Sequence, residues 1–302
     1  MLSSGSNLKY ILLIGIGGSS RGARAVYEAL HTEDQPEMLF AETVSDTLSR
    51  RIERKLDALT SADEVRVVVI SKSGTTMETK YNFDYFYNFL TKKFSTIDQQ
   101  VIKITGDMIP KDVCGRFSVF TVVGTVPLEL AGFDMKQFLA GKNAAGEVVD
   151  LDMTIQYPIH NMFLFNPELE SLGKWWRQLV AESLGKDGKG ILPIVSIGTN
   201  DLHSTLQLYL DGPKNIYTTF VSAKPLPKIV DAILEGVKIS YTNHGLPFRH
   251  IELGKLDAYD LGVFMQTQMN EVIALAKLMG VDAFNQPAVE EYKKEARLLL
   301  DQ

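Results

Sequence analysis

The stretch "VRVVVISKSGTTMET", Val65 to Thr79, runs from a buried-looking strand into two serines, a lysine, a glycine and two threonines. Residues of these types are common where a chain turns, but they can also seat an anion. Ser71, Ser73, Thr75 and Thr76 offer hydroxyls, and Gly74 permits a tight backbone approach. The helix that follows would aim its free N-terminal N–H groups at a phosphate. Thr75 and Glu78 also fit a capping box, which would commit one hydroxyl to closing that helix. The G-x-x-x-x-G-K-[ST] order of a nucleotide-binding loop is absent, so a phosphate seat without nucleotide chemistry is the economical reading.

Three further places carry chemistry-bearing groups. In "CGRFSVFTVVG", Arg116 lies between a glycine and an aromatic-hydroxyl pair, and its rigid fork suits an oxyanion or an enolate oxygen. Glu182 closes an aromatic-rich helical pattern, and His203 sits near the start of another. Alone, each reads as a helix-end carboxylate or a satisfied histidine beside a cap. A carboxylate and a histidine signify proton transfer only if the fold brings them together. Gly15, Gly17 and Gly18 in "GIGGSS" invite a dinucleotide reading, but the third glycine position is Ser20, so a tight turn without nucleotide is the better reading.

The elements that must position these groups alternate. "YILLIGIGG" reads as a buried parallel strand and "RGARAVYEAL" as its helix; "VRVVVI" and "METKYNFDYFYNFL" repeat the plan, and "QVIKITG" adds a strand. This order predicts an α/β fold with a parallel sheet flanked by helices. The small, polar "KNAAGEVVD" marks a domain boundary near residues 140 to 150. Beyond it come a helix through "KWWRQLVAES", the loop "LGKDGKG", strands "ILPIVSI" and "NIYTTFV", a helix near "NDLHSTLQLYL" and two closing helices, the last after Pro287. Trp175, Trp176 and the aromatic series Tyr81 to Phe89 read as core.

A chain of 302 residues with a formal charge of −6 has no broad positive surface for nucleic acid, although a local cluster of bases can still hold a small anion. The single cysteine, Cys114, makes neither an intrachain disulfide nor a metal site by itself, which fits a reducing compartment. The apolar run Tyr10 to Ile16 is too short for a signal peptide or membrane span. A cytoplasmic protein with no membrane association is expected.

Taken in order, "GIGGSSRGARA", "SKSGTTMET", "CGRFSVFTVVGTVP", Glu182-Ser183 with "GKDGKG", "NDLHS" and "FNQPAVEEYK" resemble the signatures of the glucose-6-phosphate isomerase (phosphoglucose isomerase) family, in its short bacterial type, from Ile11 to Lys294. The resemblance implies two sugar-isomerase (SIS) domains of three α/β/α layers with mostly parallel sheets, divided here into residues 1–140 and 141–302. It implies a homodimer acting on a phosphorylated hexose with neither metal nor cofactor. By the same resemblance Ser71, the backbone at Lys72, Ser73 and Thr76 hold the phosphate, with Gly18 and Ser19 beside them. Glu182 is the base that moves a proton between C1 and C2, and Arg116 stabilises the enediolate. His203 and Lys293 assist ring opening, His203 from its own chain or from the neighbouring subunit, and Gln178 and Gln286 lie near the sugar. Without the resemblance, Lys293 in "EEYKKEAR" reads as part of a solvated helix face.

The pattern is broken in places. Cys114 replaces a glycine of the usual "GGR", Asn285 and Ala288 change "FDQPGVE", and Glu170 stands where relatives often carry histidine. Ala288 would disturb the presentation of Lys293 if glycine conformation is required there. The chain begins almost at the first strand and joins "ITGD" to "PKDVCGRF" by a short link, so shielding of the pocket or dimer is expected to differ. The residues leave open a broader phosphoglucose/phosphomannose isomerase, a phosphosugar-binding SIS protein without turnover, and, most weakly, a dehydrogenase.

Overall fold

The computed structural model describes residues 7–146 and 151–300. Among the described residues, eight strands form two four-stranded, wholly parallel sheets. In the first, β1 (Tyr10–Ile14), β2 (Glu37–Ala41), β3 (Val65–Ser71) and β4 (Val101–Thr105) lie in the order β2-β1-β3-β4. In the second, β5 (Ile159–Leu164), β6 (Leu192–Ile197), β7 (Ile216–Ala223) and β8 (Phe248–Leu253) repeat it as β6-β5-β7-β8. The helices of the first half are α1 (Arg21–Leu30), α2 (Asp46–Asp57), α3 (Met77–Lys93), α4 (Val122–Leu130) and α5 (Met135–Asn143). Those of the second are α6 (Leu151–Thr154), α7 (Glu170–Leu184), α8 (Leu206–Asp211), α9 (Lys228–Asn243), α10 (Ala258–Met279) and α11 (Ala288–Leu300).

The apolar runs in β1 and β3 follow from burial on both faces. Ile11, Leu13, Val68 and Ile70 point into a central core, while Leu12, Ile14, Val65 and Val67 point the other way, against Ile52 and Leu56 of α2 and Phe86 and Leu90 of α3. The second sheet does the same. Met162, Leu164, Val221 and Ala223 join the central core, and Phe163 and Phe220 pack outward on Leu234 and Tyr241 of α9. One core therefore lies between the sheets, filled by α1, α4, α5, α7 and α10, with Trp175 and Trp176 of α7 buried in it. The expected α/β class with layers of helix, sheet and helix is found.

Two helices approach each other closely at glycines: a Cβ on Gly141 of α5 would stand 2.0 Å from the Tyr259 carbonyl oxygen, and one on Gly262 of α10 2.2 Å from that of Phe138. We keep the division into 1–140 and 141–302 as a proposal; residues 147–150 of the polar stretch lie outside the described residues. Two local expectations need correction. The N-cap of α3 is Thr76, with no side-chain cap, so Thr75 and Glu78 form no capping box there; Ser73 Oγ instead accepts from the Thr75 N–H and hydroxyl, both at 3.2 Å. The pattern "NDLHSTLQLYL" is not one helix but a 3-10 turn, Asn200–His203, followed by α8.

What matters for the site is direction. All four strands of the first sheet end on one edge, and the chain leaves β1 and β3 toward opposite sides, which opens a crevice between the loops that follow them. Those loops carry Gly17–Ser19 and Lys72–Thr76.

Candidate active site

The turn after β3 gathers its hydroxyls. Ser71 Oγ and Thr76 Oγ1 are 3.2 Å apart, and Ser73 Oγ lies 3.5 Å from the same Thr76 oxygen. Gly74 supplies the left-handed residue at φ +68°, which bends the backbone over these groups. Because no side chain caps α3, its first N–H groups remain directed at the loop. Lys72 turns its ammonium away and donates to the carbonyl oxygens of Lys111 at 3.1 Å and Val113 at 2.8 Å, tying the loop to the segment that leads to Arg116.

Across the crevice, the 3-10 turn Gly17–Ser19 begins at Gly17 with φ +60°. It meets a second 3-10 turn, Gly115–Phe120, backbone against backbone: a Cβ on Gly18 would lie 2.2 Å from the Gly115 carbonyl carbon. Ser118 Oγ stitches the two turns by donating to the Gly115 oxygen at 2.6 Å and the Gly18 oxygen at 3.3 Å. Ser20, at the third glycine position of the dinucleotide pattern, is fully buried and donates to Glu42 Oε1 at 2.6 Å.

Arg116 is 2% exposed, and every one of its donors has an acceptor. Nε donates to Ser183 Oγ at 2.8 Å, and Nη1 to Glu182 Oε2 at 3.2 Å and Gln286 Oε1 at 2.8 Å. Nη2 donates to the Asn285 carbonyl oxygen at 3.0 Å and to that of Ala283. The other carboxylate oxygen of Glu182 accepts from Gln178 Nε2 at 3.0 Å, one helical turn earlier on α7, while Gln178 Oε1 stays buried without a partner. Lys186 ends this helix by donating to the carbonyl oxygens of Glu182 at 2.9 Å and Ser183 at 2.7 Å, and burial lowers its pKa. Burial likewise pushes the Cys114 thiol up, although Arg116 nearby opposes the shift.

These elements enclose a cleft of about 1310 Å³. Of the residues singled out in the sequence, Gly18, Ser19, Lys72, Ser73, Thr76, Arg116, Gln178, Glu182, Gln286 and Lys293 line it. Ser71 reaches it through Thr76. Lys293 projects from α11, paired with Glu290 at 2.7 Å. His203 is exposed on the Asn200–His203 turn and is not among the lining residues. Eight basic side chains line the cleft against five carboxylates, the reverse of the chain's net charge of −6, so the cleft favours an anion.

Sequence reasoning missed Ser183 and the lining bases Arg21, Lys111, Arg177 and Arg297. For α7 a signal existed: Lys174, Gln178, Ala181 and Glu182 follow helical spacing and share the cleft face. Among the described residues no cluster of histidine, cysteine and carboxylates could hold a metal ion, and no helix is long and apolar enough to cross a membrane.

A family model described as phosphoglucose isomerase matches residues 2–151. A glucose-6-phosphate isomerase of Mycoplasmopsis synoviae is 31% identical, over 97% of this chain and 83% of its own length. One of Symbiobacterium thermophilum is 32% identical, over 96% and 80%. Among solved structures, a hypothetical protein of Thermus thermophilus superposes with a TM-score of 0.85 at 24% identity, covering 98% of this chain and 85% of that one. A glucose-6-phosphate isomerase of Chlamydia trachomatis gives 0.84 at 20% identity, over 98% and 70%, so the fold is shared well beyond the sequence likeness. With a cleft at the strand crossover and relatives aligned along nearly the whole chain, the protein belongs to the phosphoglucose isomerase family.

Proposed function

We propose that the chain is an aldose–ketose isomerase that interconverts glucose 6-phosphate and fructose 6-phosphate. The observation that carries this reading is Glu182, held through one carboxylate oxygen by Arg116 and through the other by Gln178, in a cationic cleft that also contains the hydroxyl loop. The phosphate sits on Ser71, Ser73, Thr76, the Lys72 backbone and the first turn of α3, beside Gly18 and Ser19. Its binding energy, remote from the reacting carbons, places C1 and C2 over Glu182.

In the aldose-to-ketose direction Glu182 takes the C2 proton, and the electron pair left behind makes a cis-enediolate. The same carboxyl returns the proton to C1, while O2 gives up its proton and O1 gains one, so atoms and charge balance. The guanidinium of Arg116 stabilises negative charge on the enediolate oxygens. Positioned proton transfer of this kind contributes about 10²–10⁴-fold. Lys293 and His203 serve ring opening, and Gln178 and Gln286 lie near the sugar. Since His203 lies outside its own chain's cleft, the reading includes a homodimer in which His203 reaches the neighbouring cleft, working in the cytoplasm.

The test is conversion of glucose 6-phosphate by the purified protein, followed by NMR, with mannose 6-phosphate in parallel. Formation of fructose 6-phosphate from glucose 6-phosphate is the expected result. Turnover of both sugars would broaden the substrate class, and binding without turnover would make the chain a phosphosugar-binding protein.

A further inference from the structure

Ser183 follows Glu182 directly on α7, is fully buried and lines no part of the cleft. Its Oγ is nevertheless the acceptor for the Nε of Arg116, at 2.8 Å. The five acceptors of Arg116 lie on two segments. Three of them, Ala283 O, Asn285 O and Gln286 Oε1, belong to the segment leading into α11, a helix with no buried residue; Ala283 is buried in the central core, whereas Asn285 is exposed and Gln286 half-buried. The other two, Ser183 and Glu182, sit side by side on a helix packed in the central core. The backbone of that turn is pinned a second time by Lys186.

A guanidinium is a rigid plane, so two bonds to fixed acceptors set its orientation. Glu182 is one of these, but it must also exchange a proton with substrate and is a third exposed, with 34% of its side chain open. Ser183 is the acceptor on this core helix that takes no part in proton exchange, and the sole acceptor of Nε. Without it the buried Nε–H has no partner, and the plane would take its orientation from the 283–286 segment instead.

We propose that Ser183 is a positioning residue: it holds the plane of Arg116 so that Nη1 meets Glu182 and Gln286 together. The proposal deepens the isomerase reading and rests on it. Removing the hydroxyl should impair the proton-transfer step rather than phosphosugar binding, because Ser183 touches neither the cleft nor the hydroxyl loop.

The experiment compares the parent, Ser183→Ala and Ser183→Cys, the last retaining a weak sulfur acceptor of similar shape. For glucose 6-phosphate, kcat should fall about 10- to 100-fold in Ser183→Ala, the range seen when a partner orienting a working group is lost, with KM within about 2-fold. Ser183→Cys should recover part of kcat. A readout independent of turnover is the Nε–H signal of Arg116 in a ¹H–¹⁵N spectrum, assigned by its loss in Arg116→Lys. It should be protected from exchange in the parent and exposed in Ser183→Ala. Parental kcat in Ser183→Ala, a loss confined to KM, or a protected Nε–H in that variant would each overturn the proposal. If Ser183→Ala fails to fold, the proposal stands or falls on Ser183→Cys, whose kcat must lie below the parent's with KM held. A parent that binds fructose 6-phosphate without turnover rejects the isomerase reading itself, and the Nε–H signal then still decides whether Ser183 holds Arg116.

Discussion

Gly18→Ala probes the junction on which the site depends. The new Cβ would start 2.2 Å from the Gly115 carbonyl carbon, 2.5 Å from its oxygen and 2.6 Å from its Cα, all backbone atoms that no rotamer change can move. Ordinary contact begins at 3.4 Å, so the Gly17–Ser19 and Gly115–Phe120 turns must open by about 1.2 Å, the difference from 2.2 Å. Overpacking of this kind costs about 1–3 kcal/mol, or about 1.6 °C in Tm per kcal/mol for a chain of 302 residues. Arg116 follows Gly115 directly, so the guanidinium moves with the turn, and a misplacement of about 1 Å at a reacting centre costs about 100-fold. Gly115→Ala supplies the control at the same junction from the other side: its Cβ would lie 3.3 Å from the Gly18 Cα, which a shift of a few tenths of an ångström accommodates. Thermal unfolding and kcat/KM for glucose 6-phosphate measured on both variants should show a severe loss in Gly18→Ala and a slight one in Gly115→Ala. Equal effects, or a Gly18→Ala protein with the parent's Tm and kcat/KM, would refute the reasoning.

Further outcomes follow from charge and hydrogen bonding. Because basic groups outnumber acidic ones around the cleft, kcat/KM should fall several-fold as the screening length drops from about 30 Å at 0.01 M salt to about 8 Å at 0.15 M. Arg177→Glu should flatten that dependence, and a kcat/KM indifferent to salt contradicts the role of the cationic lining. Ser73→Ala removes the oxygen that accepts from Thr75 and faces Thr76; KM for glucose 6-phosphate should rise about 10-fold, the equivalent of one charge-assisted hydrogen bond, with kcat changing less, whereas an unchanged KM places the phosphate elsewhere. Glu64, bonded to the Lys9 ammonium and to the Thr60 and Ser61 N–H groups, has its carboxyl held down at about 2. Since the folded value lies below the ordinary 4.5, its stabilisation is complete above that pH and is lost as pH falls toward 2. The Tm gap between the parent and Glu64→Gln should therefore close on acidification, and a gap that widens has the wrong sign.

Legibility in the sequence followed the range of the forces. β1 and β3 were readable because burial on both faces leaves an uninterrupted apolar run, and the hydroxyl loop because its groups are neighbours in the chain. β5 and β8 were obscured by polar residues whose partners lie on other elements: His160 Nε2 meets the Thr154 oxygen at 2.7 Å, and Arg249 forms a two-pronged pair with Glu271 of α10 at 2.7 and 2.8 Å. The capping box at Thr75 failed because Ser73 competes for the same threonine. The bond between Arg116 and Glu182 spans 66 residues, so no spacing rule could bring them together; only the resemblance linked them. Ser183 entered the sequence reading only as the neighbour of Glu182 in a quoted motif and received no role, since a serine beside a carboxylate at a helix end is unremarkable until the arginine opposite is seen.

The most direct measurement of the central claim is solvent deuterium incorporation at C1 and C2 of the hexose phosphates, followed by ¹H NMR in D₂O, in the parent and in Glu182→Gln. The account predicts that the parent introduces deuterium as it interconverts glucose 6-phosphate and fructose 6-phosphate, because a proton held on a carboxylate exchanges with solvent before it is returned. Glu182→Gln should bind fructose 6-phosphate yet neither exchange nor isomerise. A Glu182→Gln protein that exchanges at the parental rate would contradict the account, because the base would then have to be another group.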